Sequence, residues 1–69
     1  MKMERNEADK FVVGVINKFG AVLQKTHRIH SDEAEFTYLL PSGTQLILHA
    51  KLCFDAENIE INWRWVLAD

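Results

Sequence analysis

The residues best able to bind a metal ion are three histidines and one cysteine, His27, His30, His49 and Cys53. A structural zinc ion needs about four ligands that converge at roughly 2.0–2.3 Å. If His49 and Cys53 share a strand, four residues of extended chain separate them by roughly 13 Å. His27 and His30 supply only two ligands. We therefore expect no metal ion and no cofactor.

Nucleophilic or acid–base catalysis is also poorly supported. The strand register predicted below places Cys53 opposite Glu60, and a neighbouring negative charge disfavours the reactive thiolate. The acids Asp32, Glu33 and Glu35 lie in a polar stretch of a common kind. The sequence contains no glycine-rich phosphate loop, nucleophile elbow or zinc-protease motif. We therefore expect a protein that is not an enzyme.

A local basic cluster, formed by Lys25, His27, Arg28 and His30, is the feature most typical of nucleic-acid binding. The net charge is −2, so the chain as a whole does not attract a polyanion. Both tryptophans and Tyr38 are predicted to face the protein core, which leaves no aromatic platform for stacking bases. A small nucleic-acid-binding domain that uses the basic loop Lys25–His30 is therefore the alternative function.

Size and composition indicate one small globular domain that spans residues 1–69. Hydrophobic residues make up 48% of the chain and charged residues 26%, which is typical of a sequence that folds. A single cysteine cannot form an internal disulfide, and the first residues lack an apolar signal segment, so we expect a cytoplasmic protein. No apolar run approaches the roughly 20 residues that span a bilayer. A domain this small often needs a partner for stability, which favours a weakly held homodimer.

The N-terminal third predicts one amphipathic helix over about residues 6–25, with Asn6 as its N-cap. Gly14 and Gly20 oppose this assignment, since each weakens a helix interior by about 1 kcal/mol. A strand over residues 11–16 is the other interpretation, but these residues do not alternate between apolar and polar types. The apolar positions have the spacing of one helical face: Ala8, Phe11, Val12, Val15, Ile16, Phe19, Val22 and Leu23.

The rest of the chain predicts a loop over about residues 26–33 and three strands over about 34–40, 45–54 and 58–67. The turn sequences PSGT and DAEN separate the strands. The predicted fold is thus α+β, with the N-terminal helix packed on a three-stranded antiparallel β-meander in the order α-β-β-β. Alternation places these side chains toward the helix: Phe36, Tyr38, Leu40, Leu46, Leu48, Ala50, Leu52, Phe54, Ile59, Ile61, Trp63, Trp65 and Leu67.

The register follows from the rule that inward residues must lie opposite inward residues. We predict that Phe54 pairs with Ile59, and that Leu40 pairs with Leu46 across a loop of odd length or a bulge. The uncovered face of the sheet then has three rows of side chains. These rows are Leu39, Ile47 and Val66; Thr37, His49 and Arg64; and Glu35, Lys51 and Asn62.

The apolar row next to polar rows is typical of a modest protein-binding surface, although exposed strand residues of this kind are also common without any function. We expect a small protein–protein interaction module that binds a larger protein of unknown identity through the uncovered face or an edge strand. Such a module would act as a regulator or inhibitor of the kind encoded by phages and mobile elements. The candidate contact residues are Leu39, Ile47, His49, Arg64 and Val66.

Overall fold

The computed structural model of the chain describes residues 1–55 and 57–68, so Ala56 of the predicted DAEN turn and the terminal Asp69 lie outside the described residues. It contains one helix and five strands. They are β1 (Lys2–Glu4), α1 (Arg5–Phe19), β2 (Val22–His30), β3 (Glu33–Leu39), β4 (Gln45–Leu52) and β5 (Asn58–Val66).

The strands form one antiparallel sheet in the order β1-β5-β4-β3-β2, and α1 packs on one face of it. The predicted three-stranded meander is therefore wrong. β3, β4 and β5 correspond to its three strands, and β1 and β2 add a further strand at each edge. The mixture of one helix and an antiparallel sheet is of the α+β type.

The helix ends six residues earlier than the sequence predicts, because Gly20 adopts the left-handed conformation with φ of 64°. The backbone N–H of Gly20 and that of Ala21 both donate to the carbonyl oxygen of Ile16. Glycine takes this conformation without steric cost, so Gly20 closes the helix rather than weakening its interior. At the other end, Glu4 is the N-cap and makes no side-chain capping bond, so the prediction for Asn6 is also wrong.

Most of the predicted loop at 26–33 belongs to β2, which pairs with β3 from Val22 to His30. All nine residues of β2 are exposed. An edge strand that is open on both faces needs no alternation of apolar and polar side chains, and its register shifts near Gln24 and Ile29 disturb the period further. These features explain why the sequence pattern of a strand is absent there.

The inward positions are confirmed for the residues at the centre of the sheet. Tyr38, Leu46, Leu48 and Ile61 are buried, together with Ala8 and Ala21. The partly buried side chains that pack against them are Met3, Val12, Val15, Ile16, Phe36, Leu40 and Ile59. Phe54 and Leu67, also predicted to point inward, are instead strongly exposed, because β4 ends at Leu52 and β5 at Val66.

The pairing of the strands differs from the prediction by two residues. Ile59 lies opposite Leu52 rather than Phe54, and Leu46 lies opposite Tyr38 rather than Leu40. A shift of two residues leaves each side chain on the same face, so the apolar pattern cannot distinguish the two registers. The predicted faces are therefore right for the residues within β3, β4 and β5, while the predicted pairs are wrong.

The β3–β4 hairpin confirms the predicted loop of odd length. The Leu40 N–H donates to the Thr44 carbonyl at 2.9 Å, and the Gly43 N–H donates to the Leu40 carbonyl at 2.9 Å. Gly43 has φ of 90°, which a side chain at this position would disfavour. Leu40 thus lies opposite Thr44, and residues 41–43 form the loop.

The turn before β5 is held by the carboxylate of Asp55. Its Oδ1 accepts hydrogen bonds from the backbone N–H groups of Glu57 at 3.1 Å and Asn58 at 3.2 Å, and its Oδ2 accepts one from Asn58 Nδ2 at 3.0 Å. These bonds, first that from the Asn58 side chain, hold the pKa of Asp55 below its ordinary value. The charged form of Asp55 therefore stabilises the turn.

Asp55→Ala should lower the melting temperature by a few degrees at pH 7, whereas Glu57→Ala in the same turn should change it little. The pKa of Asp55 is lower in the folded state than in the unfolded state. The stabilisation by its carboxylate is therefore fully present above the unfolded-state pKa and is lost as the pH falls through the folded-state pKa. The difference between wild type and Asp55→Ala should therefore begin to shrink below about pH 4. Thermal unfolding followed by circular dichroism at pH 7, 5 and 3 measures this. A difference at pH 3 as large as that at pH 7 would contradict it.

The described part of the chain contains no helix that is long and apolar enough to cross a membrane.

Candidate functional site

The outward side chains of β2, β3, β4 and β5 form one surface, called here the open face. Helix α1 packs on the opposite side of the sheet, and within residues 1–55 and 57–68 no other helix is available to cover the open face. Side chains directly opposite each other in an antiparallel pair share a face, so the register identifies the members. They include Val22, Lys25, His27, His30, Glu33, Glu35, Thr37, Leu39, Gln45, Ile47, His49, Lys51, Asn62, Arg64 and Val66.

The predicted apolar row of the open face does not exist as a row. Leu39 and Val66 lie on either side of Gln45, whose Nε2 donates to Gln24 Oε1 at 3.2 Å. Ile47 is half-buried in the next row, between Thr37 and Arg64. The three aliphatic side chains remain on one face, but a polar amide separates two of them.

Two carboxylates of β3 interact with basic side chains on the open face. Glu33 Oε2 lies 2.5 Å from His49 Nε2, and Glu35 Oε2 lies 3.7 Å from Arg64 Nη1. The predicted row of Glu35, Lys51 and Asn62 is therefore wrong, since Glu35 lies opposite His49 and Lys51 lies opposite Glu33. Arg64 is mostly exposed, so its long contact contributes little to stability. The partly buried contact between His49 and Glu33 fixes the centre of the open face more firmly.

The basic cluster predicted as a loop lies on β2 and adjoins the open face. Lys25, His27 and His30 are opposite Thr37, Glu35 and Glu33, so they point outward. Arg28 is opposite Ala34 and belongs to the helix side, where its Nη1 donates to the Ser31 carbonyl at 3.3 Å. The structure thus joins the two surfaces that the sequence treats as alternatives.

A third surface, called here the aromatic cleft, was missed at the level of sequence. The Phe11 and Trp63 rings are tilted with centroids 5.3 Å apart, and the Phe19 and Trp65 rings meet edge to face at 5.4 Å. They border a cavity of about 230 Å³ with an almost wholly apolar lining. Trp63 and Trp65 remain 44% and 43% exposed, although both face the helix side. The alternation of side chains does not reveal that, among the described residues, no strand pairs with the outer edge of β5 beside Trp63 and Trp65. The cleft could therefore not be predicted from the sequence.

A larger groove of about 570 Å³ lies between α1 and the β2–β3 side of the sheet. Its floor includes Phe36 and Tyr38, and burial raises the pKa of the Tyr38 hydroxyl. Charges of both signs surround it, so the groove has no preference for a charged ligand of one sign. These charged residues are Arg5, Asp9, Arg28, Asp32 and Glu33.

The residues considered in the sequence as metal ligands or nucleophiles do not come together in the part of the chain that the structure describes. No group of three or more His, Cys, Asp or Glu side chains in residues 1–55 and 57–68 is placed to hold a metal ion. Cys53 is half-buried, and its backbone N–H donates to the Asn58 carbonyl at 3.0 Å. Cys53 is therefore opposite Asn58, and the predicted pairing with Glu60 is wrong, since Glu60 lies opposite Lys51.

No protein-family model, no curated protein and no solved structure matches the chain. Function must therefore be inferred from the geometry and chemistry of the described residues.

Proposed function

We propose that the chain is a small, non-enzymatic protein-interaction module that binds an acidic segment of a larger protein through β2 and the adjoining open face. The observation that carries the proposal is the character of β2. It is an edge strand of nine residues, all exposed, which contains Lys25 and Arg28, two histidines and no acidic residue.

The backbone of β2 supports the proposal because, among the described residues, the strand pairs only with β3. Its other edge therefore offers N–H and C=O groups to which an extended segment can add as a further strand. The register shifts near Gln24 and Ile29 restrict regular pairing to the stretch from Lys25 to Arg28. Bulges and lysines on an edge oppose indiscriminate strand pairing, so a partner must bring matching charge.

The distribution of charge supports an acidic partner. β2 holds two of the eight Lys and Arg residues and none of the ten Asp and Glu residues, although the net charge of the chain is −2. On the open face, Glu33 and Glu35 already lie against His49 and Arg64. Positive charge is therefore concentrated at the β2 edge, where it favours encounter with an acidic surface.

Within this proposal the protein acts in the cytoplasm as a regulator or inhibitor of its partner, and it forms a weak homodimer. Nucleic acid is the alternative ligand, favoured only by the side chains of Lys25, His27 and His30 on the open face. Trp63 and Trp65 contact rings of α1 instead, so they offer no stacking platform beside these basic residues.

The test is affinity capture from a lysate of the encoding organism, with and without nuclease, using wild type, Ile47→Glu and Val13→Glu. Ile47 lies at the centre of the open face. A charge placed there should reduce recovery of a bound protein at least tenfold, which is the effect expected when a central contact of an interface is lost. Val13 is exposed on α1 and its replacement adds the same charge elsewhere, so recovery should be unchanged.

Circular dichroism of both variants shows whether each remains folded before recovery is compared. Recovery of a protein that resists nuclease and is lost only in Ile47→Glu would support the interaction module. Recovery that depends on intact nucleic acid would reject the protein partner in favour of the alternative. Equal recovery by all three proteins would exclude the open face.

A further inference from the structure

The second half of β5 is a free sheet edge. β1 pairs with Asn58–Glu60 only, and the backbone of Met1 then exchanges two hydrogen bonds of 2.7 Å with Ile61. The N–H and C=O groups of Ile61 therefore point away from β4. Because these groups alternate along a strand, those of Trp63 and Trp65 point the same way.

Among the described residues, β1 and Met1 are the only neighbours on this side, and neither extends past Ile61. The backbone of Trp63 and Trp65 therefore faces an open edge. The two sheet edges differ in chemistry, because β2 is basic whereas residues 62–67 carry one charged side chain, Arg64. An edge that is apolar and nearly uncharged suits pairing with a similar edge.

The surface beside this edge is apolar and poorly covered. The chain exposes 4933 Å², about a tenth more than the roughly 4,450 Å² expected for a monomer of this mass. Rings of this kind bury about 150–250 Å² each, so the exposed parts of Phe19, Trp63 and Trp65 amount to roughly 250 Å². Leu67, which is 77% exposed, follows directly along the chain.

We propose that a second copy of the chain covers this edge, with the two β5 strands antiparallel and Trp65 on the two-fold axis. The two five-stranded sheets then form one continuous sheet, and the two aromatic clefts lie side by side. The inference rests on the homodimer included in the proposed function, and it names the edge, the register and the contacts.

The register follows from charge and from the position of Met1. An axis at Trp63 would require Trp65 of the second copy to pair with Ile61, whose edge Met1 already occupies. An axis at Arg64 would place two arginines directly opposite each other, which is unfavourable. Among the described residues, an axis at Trp65 avoids both conflicts, because it pairs residues 62–68 only. It sets Val66 opposite Arg64 of the second copy, and Leu67 opposite Trp63.

The opposite edge is unsuited to the same contact. Two antiparallel copies of β2 would bring Lys25, Arg28 and their neighbouring histidines together without an acidic residue from either strand. The β5 contact instead buries at most about 1,000 Å² in total, if all the exposed area of the rings, Val66, Leu67 and the strand backbone of both copies is covered. This is near the lower limit for a specific interface, so the dimer is weak.

The test is sedimentation velocity of the full chain from micromolar to millimolar concentration, for wild type and a matched pair of variants, Val66→Glu and Val66→Lys. In the proposed register each new side chain lies opposite Arg64 of the second copy, twice per dimer. The Kd of Val66→Glu should therefore be about tenfold lower than that of Val66→Lys. Leu67→Asp, beyond the end of β5, should weaken the dimer at least tenfold by placing a carboxylate against Trp63.

Three results would overturn the inference: a wild type that stays monomeric up to about 1 mM, equal Kd values for the two Val66 variants, or a dimer lost in Lys25→Glu instead. The failures of the two proposals are distinguishable. Leu67 lies outside β2, so Leu67→Asp should still capture the protein partner. A monomeric wild type that captures it would reject the dimer alone.

Discussion

Ile61→Ala is expected to lose about 2–5 kcal/mol of unfolding free energy, since it removes a branched side chain from a site where the structure leaves little room to collapse. Ile61 is 1% exposed, lies opposite Ala50, and is bonded through its backbone to Met1. A single core of this size supplies only a few kcal/mol of net stability. The variant should therefore be largely unfolded at physiological temperature.

Urea unfolding followed by far-UV circular dichroism measures this loss. Val13→Ala is the matched control, because Val13 is 55% exposed on α1 and its truncation should change the free energy by no more than about 0.5 kcal/mol. If Ile61→Ala were as stable as Val13→Ala, the close packing of β5 against the helix side would be wrong.

Reversing the charge of β2 with Lys25→Glu and Arg28→Glu together should weaken binding of the protein partner about a hundredfold. Each reversal replaces attraction to an acidic segment by repulsion, and about 1.4 kcal/mol for each corresponds to a tenfold change. Isothermal titration calorimetry with the captured partner, at low and high salt, measures the effect. The loss should be smaller at high salt because exposed charges are screened.

The control is Lys10→Glu with Lys18→Glu, which makes the same change in net charge on exposed positions of α1. We expect it to retain affinity within a few-fold of wild type. An equal loss in both double variants would show that net charge alone matters, and the assignment of the binding surface to β2 would fall.

The sequence predicts the faces of the central strands well because burial imposes a period of two. Tyr38, Leu46, Leu48 and Ile61 are buried as that period requires. The pairs themselves are set by the lengths of the turns. Leu40 lies opposite Thr44 across a short loop, and the alternative pairing with Leu46 would have buried the same side chains. Hydrophobic pattern alone therefore fixes orientation and leaves the register open.

The outer strands escape prediction for a different reason. β1 has three residues, too few to show a period, and β2 is exposed on both faces. Gly20, which directly follows the last helical residue, is the local signal that the helix ends there. This signal is recognised only if glycine is considered as a helix C-cap as well as a weak helix former. Once the helix is shortened, the chain from Val22 onward is free to form a strand.

The candidate site was predictable only in part, because the period of two predicts the face on which a side chain lies and does not predict its cross-strand neighbours. Leu39, Ile47, His49, Arg64 and Val66 do share one face, since orientation follows from the period. Their neighbours do not follow from it, so Gln45 between Leu39 and Val66 was not foreseen. The basic cluster adjoins this face only because β2 is a strand that pairs with β3. The aromatic cleft is open because β1 is a strand of only three residues.

The pairing of β1 with β5 joins two strands that are more than fifty residues apart in the sequence. During synthesis on a ribosome, β1 and α1 emerge before β2, β3 and β4, and β5, the strand that β1 pairs with, emerges after them. Until then the helix has only an incomplete sheet to pack against, and its apolar face stays open to water or to chaperones. β2, β3, β4 and β5 follow one another in antiparallel hairpins, whose contacts are close in sequence and form readily. The nascent protein therefore completes its basic edge strand before its core is closed.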